Sequence, residues 1–76
     1  MTRVEIEYCV PCGFRERALD VQRAILAACE DEIDELALVM GEHGVFRVLV
    51  GEEIVFDKDE GEFDVDAIAR DVRAAL

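Results

Sequence analysis

The chain has 76 residues, room for one domain and no second. Hydrophobic residues make up 53% of it, enough for a small core, and a domain of this size buries only about 60% of the surface its unfolded chain exposes. With 19 acidic and 8 basic residues the net charge is -11, which argues against a partner with a phosphate backbone and against docking on an anionic membrane surface.

Arg3 to Tyr8 alternates, with Val4, Ile6 and Tyr8 on one side and Arg3, Glu5 and Glu7 on the other. Period two with β-branched residues predicts a strand. It ends in Cys9-Val10-Pro11-Cys12-Gly13, a loop centred on the chain's one proline. From Phe14 the period changes. Phe14, Ala18, Val21, Ile25 and Ala28 share one face of a helix that runs to about Glu30 and frays in the acidic stretch that follows. Acidic residues there oppose the helix dipole and support an ending.

Leu36 to Met40 is short and apolar, which predicts a strand buried on both faces. Gly41-Glu42-His43-Gly44 is a turn. Val45 to Val50 places Phe46, Val48 and Val50 on one face, and Gly51-Glu52 joins it to Ile54-Val55-Phe56 as a hairpin. Asp57 to Glu62 is a charged loop. Asp64 or Asp66 caps a last helix whose face is Val65, Ile68, Ala69, Val72 and Leu76. The order strand-helix-strand-strand-strand-helix predicts a parallel crossover followed by an antiparallel hairpin: an α/β, thioredoxin-like domain over residues 1–76, with a four-stranded mixed sheet and two helices. The spatial order of the strands does not follow from the sequence.

No apolar run approaches the ~20 residues of a membrane span. The N-terminal residues carry no apolar signal core, so the expected location is intracellular, in the cytoplasm. Seven of the basic residues are Arg and one is Lys58. That balance fits a protein adapted to concentrated salt, which screens self-repulsion, somewhat better than an ordinary acidic soluble protein. In either case the acidity concerns solvation.

Three cysteines in a reducing compartment are not a disulfide framework. Cys9 and Cys12, however, are spaced C-x-x-C where a strand passes into a helix. Unsatisfied N–H groups of a first helical turn stabilise a thiolate and raise its reactive fraction. Two intervening residues let the sulfurs meet, so the pair can cycle between dithiol and disulfide. Pro11 stiffens the loop, and Arg15 and Arg17 add positive charge nearby. Tyr8, Val10, Pro11 and Phe14 are expected to form an apolar rim where a partner docks.

Cys29 reads as a small buried hydrophobe on the first helix. His43 reads as a solvated turn residue, the alternative being an approach to the cysteine pair. Cys9, Cys12, Cys29 and His43 do not make a convincing zinc set, because Cys29 stands about four to five helical turns from the pair. The acidic stretches lack calcium-loop spacing. No metal or other cofactor is expected.

Taken together, Val4-Glu5-Ile6-Glu7-Tyr8-Cys9-Val10-Pro11-Cys12-Gly13-Phe14 resembles the opening of selenoprotein W-like proteins of the Rdx family. Gly44-Val45-Phe46-Arg47-Val48 is similar to that family's Gly-x-Phe-x-Val strand. Gly51 to Phe56 is similar to its hairpin, and Gly61-Glu62-Phe63 to its Gly-x-Phe turn. The resemblance implies a thioredoxin-like fold and a small redox protein linked to glutathione, thioredoxin or antioxidant defence. Its selenoprotein members carry selenocysteine at the position of Cys12, which points to Cys12 as nucleophile. Thioredoxin analogy points to Cys9, toward which the reading leans slightly. Asp64 stands where the family commonly has Pro after the Gly-x-Phe turn. No proline is available for the cis-proline that faces the pair in thioredoxins, so Val45 or its neighbours are expected there.

The expected function is thiol–disulfide exchange with a protein or low-molecular-weight thiol partner. The alternative is a redox-gated interaction module in which the pair switches docking of the apolar rim without turnover.

Overall fold

The computed structural model describes residues 2–76. Strands β1 (Arg3–Cys9), β2 (Glu35–Gly41), β3 (Phe46–Val50) and β4 (Glu53–Asp57) form one sheet in the order β2-β1-β3-β4. Helix α1 (Arg15–Cys29) links β1 to β2, and α2 (Val65–Ala74) follows β4. β1 and β2 are parallel; β3 is antiparallel to both β1 and β4. This is the mixed α/β arrangement that the element order implies. None of the described helices is long and apolar enough to cross a membrane.

Alternation in β1 does what its pattern requires. Val4, Ile6 and Tyr8 are buried and meet Phe46 and Val48 of β3 beneath the helices. α1 contributes Ala18, Val21, Ile25 and Cys29 to the same core, and α2 contributes Ile68, Ala69 and Val72. Both helices therefore cover one face of the sheet. On the opposite face, Arg3 pairs with Glu5 and Glu35, and Arg47 pairs with Glu7 across the β1–β3 register. Glu35 and Glu7 thus pair across strands and Glu5 pairs within β1, rather than forming a merely solvated row. Asp64 caps α2, its side chain accepting from the Ala67 N–H at 3.1 Å.

Several details depart from the sequence reading. β2 is an edge strand, not one buried on both faces: Leu36 and Leu38 pack against the core, whereas Met40 is 67% exposed. An apolar run cannot distinguish a central strand from an edge strand with small residues on its open side. On α1 the buried position near the C-terminus is Cys29 rather than Ala28. Both lie about one turn from Ile25, and it is Cys29 that joins the buried cluster while Ala28 lines a surface groove beside α2. The helix then tightens into a 3₁₀ turn over Glu30–Glu32. Leu76 lies beyond the end of α2 and is 39% exposed, outside the core cluster.

The connection from β2 to β3 positions the cysteines. These strands lie on opposite sides of β1, so residues 42–45 cross the C-terminal end of β1 at Cys9. The crossing is hydrogen-bonded on both sides. The Cys9 N–H donates to the Val45 carbonyl at 2.8 Å, and the Val10 N–H donates to the Gly41 carbonyl at 3.3 Å.

Candidate functional site

Cys9 is the last residue of β1 and Cys12 lies in the turn that follows. The turn closes through a hydrogen bond from the Gly13 N–H to the Val10 carbonyl at 3.1 Å. The two cysteines are joined as a disulfide with a Cα separation of 5.4 Å, inside the usual range for such bridges. Their environments differ sharply. Cys9 has no exposed surface, because the 42–45 crossing lies over the strand end; Cys12 is exposed. Any molecule approaching from solvent meets the Cys12 sulfur.

Cys12 stands at the entry to α1, as its setting implied, but outside the first turn. Gly13 has φ +76° and Phe14 is the N-cap, so the helix begins at Arg15. A left-handed residue cannot continue an α-helix backward, and this one separates Cys12 from the first-turn N–H groups. Because dipole stabilisation falls off within one turn, it acts on Cys12 less than a first-turn position would allow.

The expected apolar rim divides into two parts. On the β2 side, Tyr8, Val10, Gly13, Arg15, Glu16 and Met40 line a groove of about 360 Å³. Tyr8 is 95% buried at its base, while Val10 and Met40 stand exposed beside it. On the β3 side, Phe14 is half-buried with its ring edge-on to Phe46 at 6.2 Å. Pro11 is exposed in the turn between them and does not line the groove.

Val45 occupies the place foreseen for it, with its backbone against Cys9. Gly41 allows this approach: a Cβ there would lie 2.7 Å from Val45 Cγ1. Sequence reasoning missed Gly41 and Met40 as site residues. Reading the glycine as part of a turn hid its role as a contact surface, and the edge position of β2 was not legible.

His43 is in the crossing, but its side chain is 93% exposed and lies by the Glu42 carboxylate at 3.8 Å. Its backbone is near the pair while its imidazole faces solvent. Cys29 is at the far end of α1, its thiol donating to the Ile25 carbonyl at 3.4 Å. Burial, reinforced by Glu32 and opposed by Arg73, raises its pKa above the ordinary thiol value. About 21 Å of helix separates it from the C-x-x-C turn.

The model of the Rdx family matches residues 3–74, nearly the whole chain including the C-x-x-C turn. The chain belongs to the Rdx family. Among solved structures, a Bordetella parapertussis protein shares 30% identity with it at a TM-score of 0.89, over 99% of this chain and 98% of that one. A selenoprotein W-related protein from Vibrio cholerae shares 21% identity at a TM-score of 0.86, over 97% of this chain and 95% of that one. No curated protein matches the sequence. The Rdx chain thus combines a selenoprotein W-like, thioredoxin-like fold with a cysteine pair at disulfide distance, the makings of a thiol redox protein.

Proposed function

We propose that this Rdx protein carries out thiol–disulfide exchange with Cys12 as the reacting sulfur and Cys9 as the resolving one. The asymmetry of the pair carries the reading: Cys12 is exposed, whereas Cys9 is sealed beneath the 42–45 crossing. In the reduced protein the Cys12 thiolate attacks a disulfide RS–SR. One sulfur is released as thiolate and the other forms a Cys12–S–S–R bond. Cys9 then attacks the Cys12 sulfur, displaces the second RS⁻ and closes the Cys9–Cys12 bridge. Two electrons pass from the pair to the substrate, and an external dithiol or two low-molecular-weight thiols return them. Burial suits Cys9 to this role, because its only reachable target is the sulfur three residues along.

Low-molecular-weight thiols of the glutathione kind fit the reductant role, because the exposed Cys12 is open to small molecules, and antioxidant reduction in the cytoplasm is the setting that accompanies this reading. The rival is a redox-gated module in which Val10 and Met40 dock a partner in one oxidation state only. Steady reduction of 2-hydroxyethyl disulfide under a regenerating reductant supports exchange. Stable partner complexes from a cysteine variant, with no turnover by the intact protein, support the switch and overturn exchange.

A further inference from the structure

Arg17 is unusual in so acidic a chain. Arg3, Arg15, Arg23, Arg47 and Arg73 each lie within 4.0 Å of a carboxylate. Among the described residues Arg70, on α2, meets none, and neither does Arg17. The Arg17 guanidinium lies instead over two aromatic rings, 5.3 Å from the centroid of Phe14 and 5.1 Å from that of Phe63. Lys58 converges on the same place, with Nζ 5.8 Å from the Phe14 centroid. Ring faces hold both cations by cation–π attraction; the guanidinium N–H groups of Arg17 stay free of carboxylates, while Lys58 gives one N–H to Asp59 and keeps its others for an anion.

Short links tie this spot to the cysteine pair. Phe14 follows Cys12 by two residues. The Lys58 N–H donates to the Phe46 carbonyl, and Phe46 directly follows Val45, whose carbonyl receives the Cys9 N–H. Lys58 Nζ is also 4.0 Å from where a Cβ of Gly44 would lie, on the link that crosses Cys9. Asp59 approaches Lys58 at 3.3 Å from an exposed position, which partly neutralises one cation and leaves Arg17 uncompensated. The molecule as a whole repels anions, so an anionic substrate needs a local positive site beside the reacting sulfur.

We propose that Arg17 and Lys58, supported on the Phe14 ring, form a carboxylate-recognition site, and that the substrates of the pair are small disulfides bearing carboxylates. This rests on the exchange chemistry proposed above and names its substrate class. The electron balance is the same: the reduced pair gives two electrons to RS–SR, and R carries the carboxylate held by Arg17 and Lys58.

The test compares disulfides of similar size and different charge: 3,3′-dithiodipropionate (anionic), 2-hydroxyethyl disulfide (neutral) and cystamine (cationic). Rates relative to the neutral compound carry the result. The wild-type protein is expected to favour the anion over cystamine. R17Q/K58Q is expected to lower that preference by roughly three- to tenfold, the range for two exposed charge contacts. Added salt should lower the preference in the wild type, where local attraction acts, and raise it in the double variant, where only the overall negative charge remains. K58Q alone should show an intermediate loss, and circular dichroism verifies that each variant is folded. Preference for cystamine in the wild type, or the same preference in the folded double variant, overturns the substrate class and leaves exchange standing. Failure to reduce even the neutral disulfide overturns the exchange reading and the substrate class with it.

Discussion

Individual residues divide the labour at the pair. Cys12 faces solvent and Cys9 does not, so their serine variants should differ in kind. Cys9→Ser keeps the exposed sulfur and should accumulate Cys12 mixed disulfides with added low-molecular-weight disulfide. Cys12→Ser should form almost none. Equal adduct formation in the two variants, read by intact mass, contradicts the assignment. Cys29 has a third role. Its raised pKa means that folding favours the neutral thiol. Stability from that preference is fully present below the unfolded value of about 8.5 and is lost as pH rises through the higher folded value. Chemical denaturation of the reduced protein should show a decline above pH ~8.5 that is shallower in Cys29→Ala; equal slopes would remove Cys29 from that account. The same burial should make Cys29 the slowest of the three cysteines to alkylate in the folded, reduced chain.

Elements locate the pair through a close packing contact. The link from β2 to β3 can cross Cys9 closely because Gly41 has no side chain to meet Val45. Gly41→Ala should force Val45 outward, cost about 1–3 kcal/mol as overpacking does, and make reduced Cys9 alkylate faster. Adding Val45→Ala removes the obstructing Cγ1 and should recover part of that loss. A double variant as unstable as the sum of the singles would refute the contact. Much at this scale was legible in the sequence. The alternation of Val4, Ile6 and Tyr8 specified β1 and its buried face, Asp64 and Asp66 together marked the start of α2 without deciding which one caps it, and Gly51-Glu52 announced the hairpin. Strand order was not legible, because it depends on which edges pair across long sequence separations. That gap led Leu36–Met40 to be read as a strand buried on both faces and left Met40 out of the site. The helix start near Phe14 was legible, but the separation of Cys12 from the first turn was not: the sequence shows a glycine at 13, while its positive φ is a property of the folded turn.

At the scale of the whole molecule, charge is the dominant feature. A net charge of -11 on 76 residues makes the folded chain repel itself. Salt should therefore stabilise it: Tm is expected to rise by several degrees from low ionic strength to about 1 M, where the Debye length is near 3 Å. A fall in Tm over that range would mean that the cross-strand pairs of Arg3 and Arg47 outweigh the general repulsion. Against this background the positive spot at Phe14 acquires its meaning, since Phe14 follows the exposed Cys12 by two residues in an otherwise acidic molecule. The C-x-x-C pair was readable from spacing and setting alone. The unequal exposure of its sulfurs was not, because the residues that bury Cys9 come from a turn more than thirty positions later.

Alkylation of all three cysteines, resolved by mass across a series of poised thiol–disulfide buffers, tests the central assignment most directly. Cys9 and Cys12 should become protected together at one potential, Cys12 should react first once reduced, and Cys29 should stay outside the couple. Pairing of Cys29 with either partner, or faster labelling of Cys9 than of Cys12 in the folded protein, would contradict it.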